Sequence, residues 1–229
     1  MIPLGIVTGL ASEADCLEFR SAASGVDVRC AGADCGRATA VARELVAEGC
    51  TGLISFGIAG GLDPALNAGA LVVAARVVLP DGHRLETDLG WRHRLLEHLG
   101  PVIDPVSGDL VGSDDAVLDE RQKKALREKS GAVAVDMESH AVARVAAESA
   151  IPFLVVRAVS DTFRHGIPAW VSRTIQPDGH PGWSAVLSGV LAHPGDMPTL
   201  LRLQTTSRRA LATLRCVALR AGPLFFLDG

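Results

Sequence analysis

Several features that would place this chain in a specialised class are missing from its sequence. The five cysteines are odd in number and form no CxxC pair, which argues against a disulfide framework and a zinc site. The formal charge is −4 at pH 7, so the chain lacks the overall basic field that binds nucleic acid. No apolar run reaches the length of a membrane span. These absences favour a reducing compartment and a small-molecule partner.

The N-terminal segment lacks a charged leader before its first apolar run. Residues 1–15, MIPLGIVTGLASEAD, reach acidic side chains at once and therefore resemble a first core strand more than a secretory signal. The sequence contains neither an internal repeat nor a low-complexity tract. We expect a cytoplasmic protein, with association with the inner face of the membrane as an alternative.

What is present is an alternation of short apolar runs and helical patterns. LGIVTGL, TGLISFG and ALVVAARVVL are strand-like, whereas SEADCLEFRSA, GRATAVARELVAEG and WRHRLLEHLG have helical spacing. This alternation is typical of βαβ units and of a sheet that is buried on both faces. With 229 residues, 48% of them apolar, the chain is predicted to form one three-layer α/β/α domain with a central mixed, mostly parallel sheet.

Residues 134–162 carry the strongest functional signal. The segment begins as a strand that delivers Met137 and Glu138, and FLVVRAVS is a second buried strand that delivers Asp161 just past its carboxyl end. Ligands of open α/β sheets bind at that edge. The two carboxylates can therefore meet at one rim, where one holds a substrate while the other donates a proton.

A glycine-rich turn directly follows another buried strand. Gly57, Gly60 and Gly61 lie in SFGIAGGL, and glycine allows a backbone to approach a ligand closely. A dinucleotide site would need GxGxxG at the start of a helix, but a second apolar strand follows here. These residues fit a nucleoside pocket and equally a tight turn between core strands.

Two segments are predicted to lie outside the core. The charge pattern of helix 118–130, LDERQKKALREKS, indicates a solvated surface helix. Residues 163–198 are rich in Pro, Gly, Trp and His, which favours a long irregular loop or a cover over the site.

No metal site is predicted. His165, His180 and His193 show no metal-ligand periodicity. Cys35 and Cys50 look like ordinary small core or surface residues.

The end of the chain has the pattern of a basic amphipathic helix. Residues 199–222 contain five arginines and no acid, with the apolar residues on one side. One interpretation is a terminal helix docked on the domain with its arginines in water. The other is peripheral membrane contact through 199–227, with the apolar GPLFFL at 222–227 as an added anchor. We assign 1–195 to the catalytic domain and 196–229 to this helix and tail, either within the same domain or facing a membrane.

Three segments, taken in order, carry a family resemblance: GIVTGLASEAD, SFGIAGGLDPALNAGALVV and AVDMESHAVARVAAESAIPFLVVRAVSD. Together they resemble the nucleoside phosphorylase and nucleosidase superfamily, and within it the methylthioadenosine/S-adenosylhomocysteine nucleosidase branch. The region LPDGHRLETDLGWRHRLLEHLG and the basic tail are similar to the hopanoid-associated phosphorylase group, which releases adenine from adenosylhopane. The resemblance implies a purine nucleoside as partner, a homodimer or higher homo-oligomer, and no cofactor beyond phosphate as an optional co-substrate.

The resemblance also implies roles for individual residues. Asp161 corresponds to the acid that protonates N7 of the purine, and Glu13 to the base that activates the attacking water. Glu138 corresponds to the carboxylate that binds the ribose 2′ and 3′ hydroxyls, since its two oxygens can accept two bonds together. Further substrate-binding positions implied by the resemblance are Met137, Ala59, Gly60, Gly61 and Ser160. Each carboxylate has a structural alternative: a cap after a strand for Asp161, a first-turn acid for Glu138 and a helix cap for Glu13.

The acceptor is the first open choice. Superfamily phosphorylases hold phosphate with an arginine and a serine in an RxGSxG segment, and the corresponding positions here are Ser55 and Ile58. The loss of both contacts favours hydrolysis, because a dianion beside isoleucine would be poorly solvated. Phosphorolysis stays open through Arg37, Arg164 or Arg173.

The 5′ substituent of the nucleoside is the second choice. We predict adenosylhopane, because a wide apolar mouth would suit the segment that carries Trp170 and Trp183. Methylthioadenosine, S-adenosylhomocysteine and other soluble purine nucleosides are the enzymatic alternatives. A purine-binding, membrane-peripheral module without turnover is the non-enzymatic one.

Overall fold

A computed structural model describes residues 3–18, 25–100 and 103–227 of the chain. The strands are β1 (Leu4–Thr8), β2 (Val26–Cys30), β3 (Gly52–Gly61), β4 (Leu71–Val73), β5 (Arg76–Val78), β6 (Arg84–Glu86), β7 (Asp109–Gly112), β8 (Ala134–Asp136) and β9 (Phe153–Asp161). The helices are α1 (Ala11–Ala14), α2 (Cys35–Ala47), α3 (Leu89–Leu99), α4 (Glu120–Ser130), α5 (Ser139–Glu148), α6 (Ala169–Ser172), α7 (Trp183–Ala192) and α8 (Met197–Ala221).

The strands form one mixed sheet in the order β2-β1-β3-β8-β7-β5-β6, with β9 paired to β3 and to β4. Strand β1 is parallel to β2 and β3, β3 is parallel to β9, and β7 is parallel to β5 and β8. The antiparallel pairs are β3 with β8, β4 with β9, and β5 with β6. The predicted mixed, mostly parallel sheet is therefore confirmed.

Two apolar clusters cover the two faces of this sheet. Helices α2 and α5 pack on one face through small side chains, and α3 and α8 pack on the other. Every residue of β9 is buried, which accounts for its nearly continuous apolar sequence. The three predicted layers are confirmed.

Short polar signals fix the ends of several helices. Asp34, Asp88 and Asp119 each accept a backbone N–H bond at the start of α2, α3 and α4. Gly131 adopts φ 72° directly after α4. A left-handed residue at that position closes the helix with little cost only when it lacks a side chain.

Two predicted elements differ from those observed. The first predicted helix extends only over Ala11–Ala14 in the described region, and residues 19–24 lie outside it. The predicted irregular segment 163–198 contains α6, α7 and a 3-10 turn at Pro194–Asp196. Its Pro and Gly residues separate these short helices instead of preventing them.

Helix α8 docks on the domain along the apolar side that the sequence indicates. Leu214 and Val217 are fully buried against β9 and its neighbours, and all five arginines are exposed. Phe225, in the apolar segment after α8, is buried too: it packs edge-to-face on Phe56, and its carbonyl accepts the indole N–H of Trp91 at 2.6 Å. The burial of Phe225 favours the docked interpretation of the tail over the alternative in which 222–227 is an added membrane anchor. Among the described helices, none is both long enough and apolar enough to cross a bilayer.

Candidate active site

The ends of β3, β8 and β9 meet at one edge of the sheet, next to the loop after β1. A cavity of about 250 Å³ lies there. Strand β8 reaches it antiparallel to β3, and not as the parallel neighbour that a simple βαβ arrangement predicts. In β9, Ser160 is an extra residue opposite Ala59 and Gly60. Such a bulge changes the direction of the side chains that follow it, here Asp161.

Glu13 is held by three backbone N–H groups. Oε2 accepts from Gly9 at 2.8 Å and from Leu10 at 2.9 Å. Oε1 accepts from Ile58 of β3 at 2.8 Å. Glu13 therefore caps α1, as its structural alternative requires, and also faces the cavity. Burial raises the pKa of Glu13, and the charge of Arg157 and the three N–H donors oppose that rise.

A fully buried guanidinium, Arg157, lies in the middle of β9. Its Nε is 2.6 Å from Oδ2 of Asp136. Its Nη2 donates to Oε2 of Glu138 at 3.1 Å and to the hydroxyl of Ser55 at 2.7 Å. Burial alone would lower the pKa of Arg157, but the surrounding carboxylates outweigh this effect and raise it. A buried charge persists only when it is paired in this way.

Glu138 occupies the N-cap position of α5 but makes no side-chain cap bond. Its carboxylate points instead to the cavity and to Arg157. Burial is the main reason that the pKa of Glu138 rises to about 8; Arg157 opposes the rise, and the charges of Asp136 and Glu13 add to it. The protonated form of Glu138 is therefore favoured at neutral pH.

Asp161 is paired with a lysine that is 0% exposed, Lys123 of α4. The Lys123 ammonium is 2.5 Å from Oδ2 of Asp161, and it also donates to the carbonyl oxygens of Asp161, Thr162 and His165. The hydroxyl of Ser160 donates to Oδ1 of Asp161 at 2.8 Å. Burial raises the pKa of Asp161, whereas Lys123 and Ser160 lower it. The prediction of a solvated surface helix is thus wrong at this position, because one lysine of α4 points into the core.

Two glycines make room for these carboxylates. A Cβ on Gly9 would lie 2.6 Å from an oxygen of Glu138, and a Cβ on Gly57 would lie 2.5 Å from both Glu13 and Arg157. Real Cβ atoms do not approach polar atoms so closely. Glycine is therefore required at both positions by the close approach of side chain to backbone.

The cavity brings together most of the residues that the sequence predicted for the site. Its lining includes Glu13, Ala59, Gly60, Met137, Glu138, Ser160 and Asp161. Gly61, which pairs with Ala134 of β8, does not line it. Arg37, which was considered as a phosphate ligand, instead donates to the carbonyl groups of Ala31 and Gly32.

The cover segment and α8 contribute mainly apolar side chains to the cavity, together with Ser172 and Ser207. The apolar ones are Ile167, Val171 and Ile175 of the cover segment and Leu203 of α8. The three carboxylates therefore lie at the sheet edge, and most of the apolar lining comes from the cover segment and α8.

A protein-family model matches the stretch of sequence that carries most of these residues. The model for the phosphorylase superfamily matches residues 22–171, which include the glycine turn, Glu138 and Asp161. The chain belongs to the phosphorylase superfamily. The matched range does not include Glu13, which reaches the same cavity from the preceding segment.

Curated relatives in the phosphorylase superfamily match part of the chain. The 5′-methylthioadenosine/S-adenosylhomocysteine nucleosidase of Mycobacterium bovis is 31% identical, over 49% of this chain and 60% of that protein. The protein of the same name from Staphylococcus aureus (strain Newman) is 29% identical, over 48% of this chain and 56% of that protein. The chain thus spans about 60% of the length of these relatives.

Solved structures match almost the whole chain. The Neisseria meningitidis 5′-methylthioadenosine/S-adenosylhomocysteine nucleosidase in complex with methylthio-immucillin-A has a TM-score of 0.72 at 16% identity, covering 99% of this chain and 100% of that one. Futalosine hydrolase of Helicobacter pylori has a TM-score of 0.67 at 17% identity, covering 93% and 96%. At these identities the likeness establishes the fold.

Sequence reasoning missed three charged residues of the candidate active site: Lys123, Asp136 and Arg157. Two of them carried a usable signal. Arg157 interrupts the apolar run of a buried strand, and a charge at such a position predicts a buried partner. Asp136 lies in a buried strand two residues before Glu138. Lys123 carried none, because it lies among charged neighbours on a polar helix.

Proposed function

We propose that this protein is an enzyme that cleaves the N-ribosidic bond of a purine nucleoside. The observation that carries the proposal is the convergence of Glu13, Glu138 and Asp161 on one cavity. Membership of the phosphorylase superfamily and the names of its nucleosidase relatives support the same reaction. A binding module without turnover would not need three carboxylates in this arrangement.

Asp161 acts as the general acid in this proposal. As the bond to the base breaks, negative charge develops on the purine, and a proton from Asp161 to N7 neutralises it. Burial raises the pKa of Asp161, which favours the protonated form that a donor needs. Lys123 and Ser160 fix the orientation of the carboxyl group from two sides.

Glu138 and Glu13 act on the sugar side. Glu138 accepts the ribose hydroxyl bonds, and Met137 packs beside it on the sugar. The sugar gains oxocarbenium character as the bond breaks, so the ionised form of Glu138 favours the transition state. Because burial raises the pKa of Glu138 to about 8, this contribution increases as the pH rises towards that value. Glu13 removes a proton from the attacking water. Each acid or base supplies on the order of a hundredfold to ten-thousandfold in rate.

Water is the proposed acceptor. The position where phosphorylases carry a phosphate-binding serine is occupied by Ile58, which lines the cavity. The buried guanidinium of Arg157 already pairs with Asp136 and Glu138 and donates to Ser55, so it is not free to bind phosphate. Product analysis with and without phosphate tests this proposal. We expect free ribose derivatives in both cases, and a phosphate-dependent sugar 1-phosphate would refute it.

For the 5′ substituent we propose the polycyclic chain of adenosylhopane. The apolar side chains of Ile167, Val171, Ile175 and Leu203 in the cavity lining support the proposal of a large apolar substituent. Helix α7, also in the cover segment, presents exposed Trp183, Leu187 and Leu191 at a spacing of four residues. Methylthioadenosine is the alternative that the relatives' names favour.

One assay distinguishes these substrates and also tests the alternative of a purine-binding module without turnover. The purified protein is incubated separately with adenosylhopane in detergent and with methylthioadenosine, and free adenine is measured by chromatography. We expect adenine from adenosylhopane, and we expect Asp161→Asn to bind the nucleoside without releasing base. Turnover of methylthioadenosine alone would refute the lipid substrate, and full activity of Asp161→Asn would refute the acid assignment.

A further inference from the structure

A second cluster of ligating side chains lies outside the residues of the proposed reaction. Cys35 is the first residue of α2, His140 is the second of α5, and Asp114 lies just after β7. Sγ of Cys35 is 3.1 Å from Nε2 of His140, and Oδ1 of Asp114 is 3.0 Å from the same nitrogen. The three ligand atoms all lie within 4.8 Å of one another.

We propose that Cys35, His140 and Asp114 bind one divalent transition-metal ion of the zinc type. Thiolate, imidazole and carboxylate are the ligand types of protein zinc sites. The sequence predicts no metal site, because His165, His180 and His193 lack metal-ligand periodicity and Cys35 looks like an ordinary residue. The proposed site uses a different histidine, His140.

The way the three groups meet distinguishes a metal site from a nucleophilic triad. In a triad, the nucleophile bonds one ring nitrogen and the carboxylate orients the ring through the other. Here the thiol and the carboxylate both approach Nε2 of His140. Three potential ligand atoms thus lie close together at one side of the ring, as the ligands of a single ion must.

The distances are close to those of a loaded site. Ordinary zinc bond lengths at tetrahedral angles place nitrogen and oxygen ligands about 3.3 Å apart and sulfur and nitrogen ligands about 3.6 Å apart. The observed separations of 3.0 and 3.1 Å are shorter by a few tenths of an ångström. A small outward movement of Asp114 and Cys35 is enough to admit the ion, and both residues are accessible to solvent.

The imidazole is fixed in position before any ion binds. His140 is buried, and the space beside its ring is so tight that a Cβ on Gly112 of β7 would lie 2.3 Å from Nδ1. Nδ1 has no hydrogen-bond partner among the described residues, so packing and not a second hydrogen bond orients the ring. Asp114 is exposed, so an ion can reach the site from solvent.

The site borders the wall of the proposed catalytic cavity. Asp115, next to Asp114, and Ala33, two residues before Cys35, both line that cavity. His140 follows Glu138 by two residues in the same helix start. A bound ion would join α2, α5 and the loop after β7, and would therefore stabilise this wall whether or not the proposed reaction occurs.

Metal binding is tested on the full, untagged chain after treatment with a chelator. Co²⁺ is added, its sulfur-to-cobalt charge-transfer band and tetrahedral visible bands are followed, and Zn²⁺ then competes. We expect one equivalent per chain, displacement of the cobalt spectrum by zinc, and a higher unfolding temperature with metal. Cys35→Ser should remove the charge-transfer band, and Asp114→Asn should weaken binding by about 100-fold or more, beyond the loss typical of outer-shell changes.

Two controls make the result decisive. Cys216→Ser changes a cysteine of α8 and His83→Ala changes an exposed histidine, and both should bind cobalt like the parent chain. Asp114 is exposed, so its substitution keeps the fold, and circular dichroism verifies this. Absence of the cobalt–thiolate band in the parent chain would overturn the proposal, as would equal loss of binding in Cys216→Ser. Because the readout is spectroscopic, neither outcome bears on the proposed nucleosidase activity.

Discussion

Replacing Lys123 with methionine isolates the contribution of the buried ammonium to Asp161. Methionine keeps an unbranched side chain but removes the charge and the donors that now serve Asp161 and three carbonyl groups. Breaking a buried ion pair by deleting one partner costs about 3–5 kcal/mol. For a chain of this length that corresponds to a fall in Tm of about 10 °C.

The same substitution has a defined effect on pH dependence. Burial already raises the pKa of Asp161, and Lys123 is the largest influence that lowers it. Without Lys123 the pKa of Asp161 rises further, so the protonated acid persists to higher pH. We expect the alkaline decline of kcat/KM for base release to move to higher pH, and the loss of stability to be smaller in acid, where Asp161 is protonated in the variant.

The assay is a pH series of adenine release together with thermal unfolding at each pH. Lys124→Met is the matched control, because Lys124 is the exposed neighbour in the same helix. The double variant Lys123→Met/Asp161→Asn should recover most of the lost stability without recovering activity. If the alkaline decline of kcat/KM does not move, or if Lys124→Met loses as much stability as Lys123→Met, this account of the Lys123–Asp161 pair is refuted.

Three further predictions concern packing and protonation. Gly57→Ala should reduce base release by more than tenfold and lower Tm, because its Cβ would collide with polar atoms of the site, whereas Gly195→Ala, with open space around it, should do neither. The free energy of unfolding should fall between about pH 4.5 and pH 8, because the native protein holds a proton on Glu138 that the unfolded chain releases, and Glu138→Gln should flatten this slope in a urea titration series. Phe225→Ala should cost about 3–5 kcal/mol of stability, measured by urea unfolding against exposed Leu219→Ala, and a loss no greater than that of the control would contradict its core position.

The sequence predicted the architecture well where each element carries its own local pattern. Strand β9 is buried throughout, and its apolar run indicated this directly. Glu138 and Asp161 were placed at the sheet edge because each follows a strand, and both line the cavity. These inferences need only periodicity and the position of a residue relative to a strand end.

The parts that sequence reasoning missed depend on long-range contacts. Nothing in the α4 pattern distinguishes Lys123 from Lys124, since burial of the former depends on β9 arriving beside it. The cluster of His140 with Cys35 joins residues 105 positions apart and has no local spacing. The final apolar segment was ambiguous for the same reason, because only the pocket near Trp91 and Phe56 makes it a core segment.

The course of β3 has a consequence for how this site can change over evolution. Its last residues pair with β9 through Gly60 and with β8 through Gly60 and Gly61, so one stretch of backbone positions the strands that carry Asp161 and lead to Glu138. Side-chain substitutions can reshape the cavity lining and alter which 5′ group is accepted, but they leave the register of these strands unchanged. An insertion or deletion within β3 would change the register of β8 relative to β9 and so displace Glu138 relative to Asp161. Descendants of this protein should therefore diversify in the cover segment while the length of β3 stays constant.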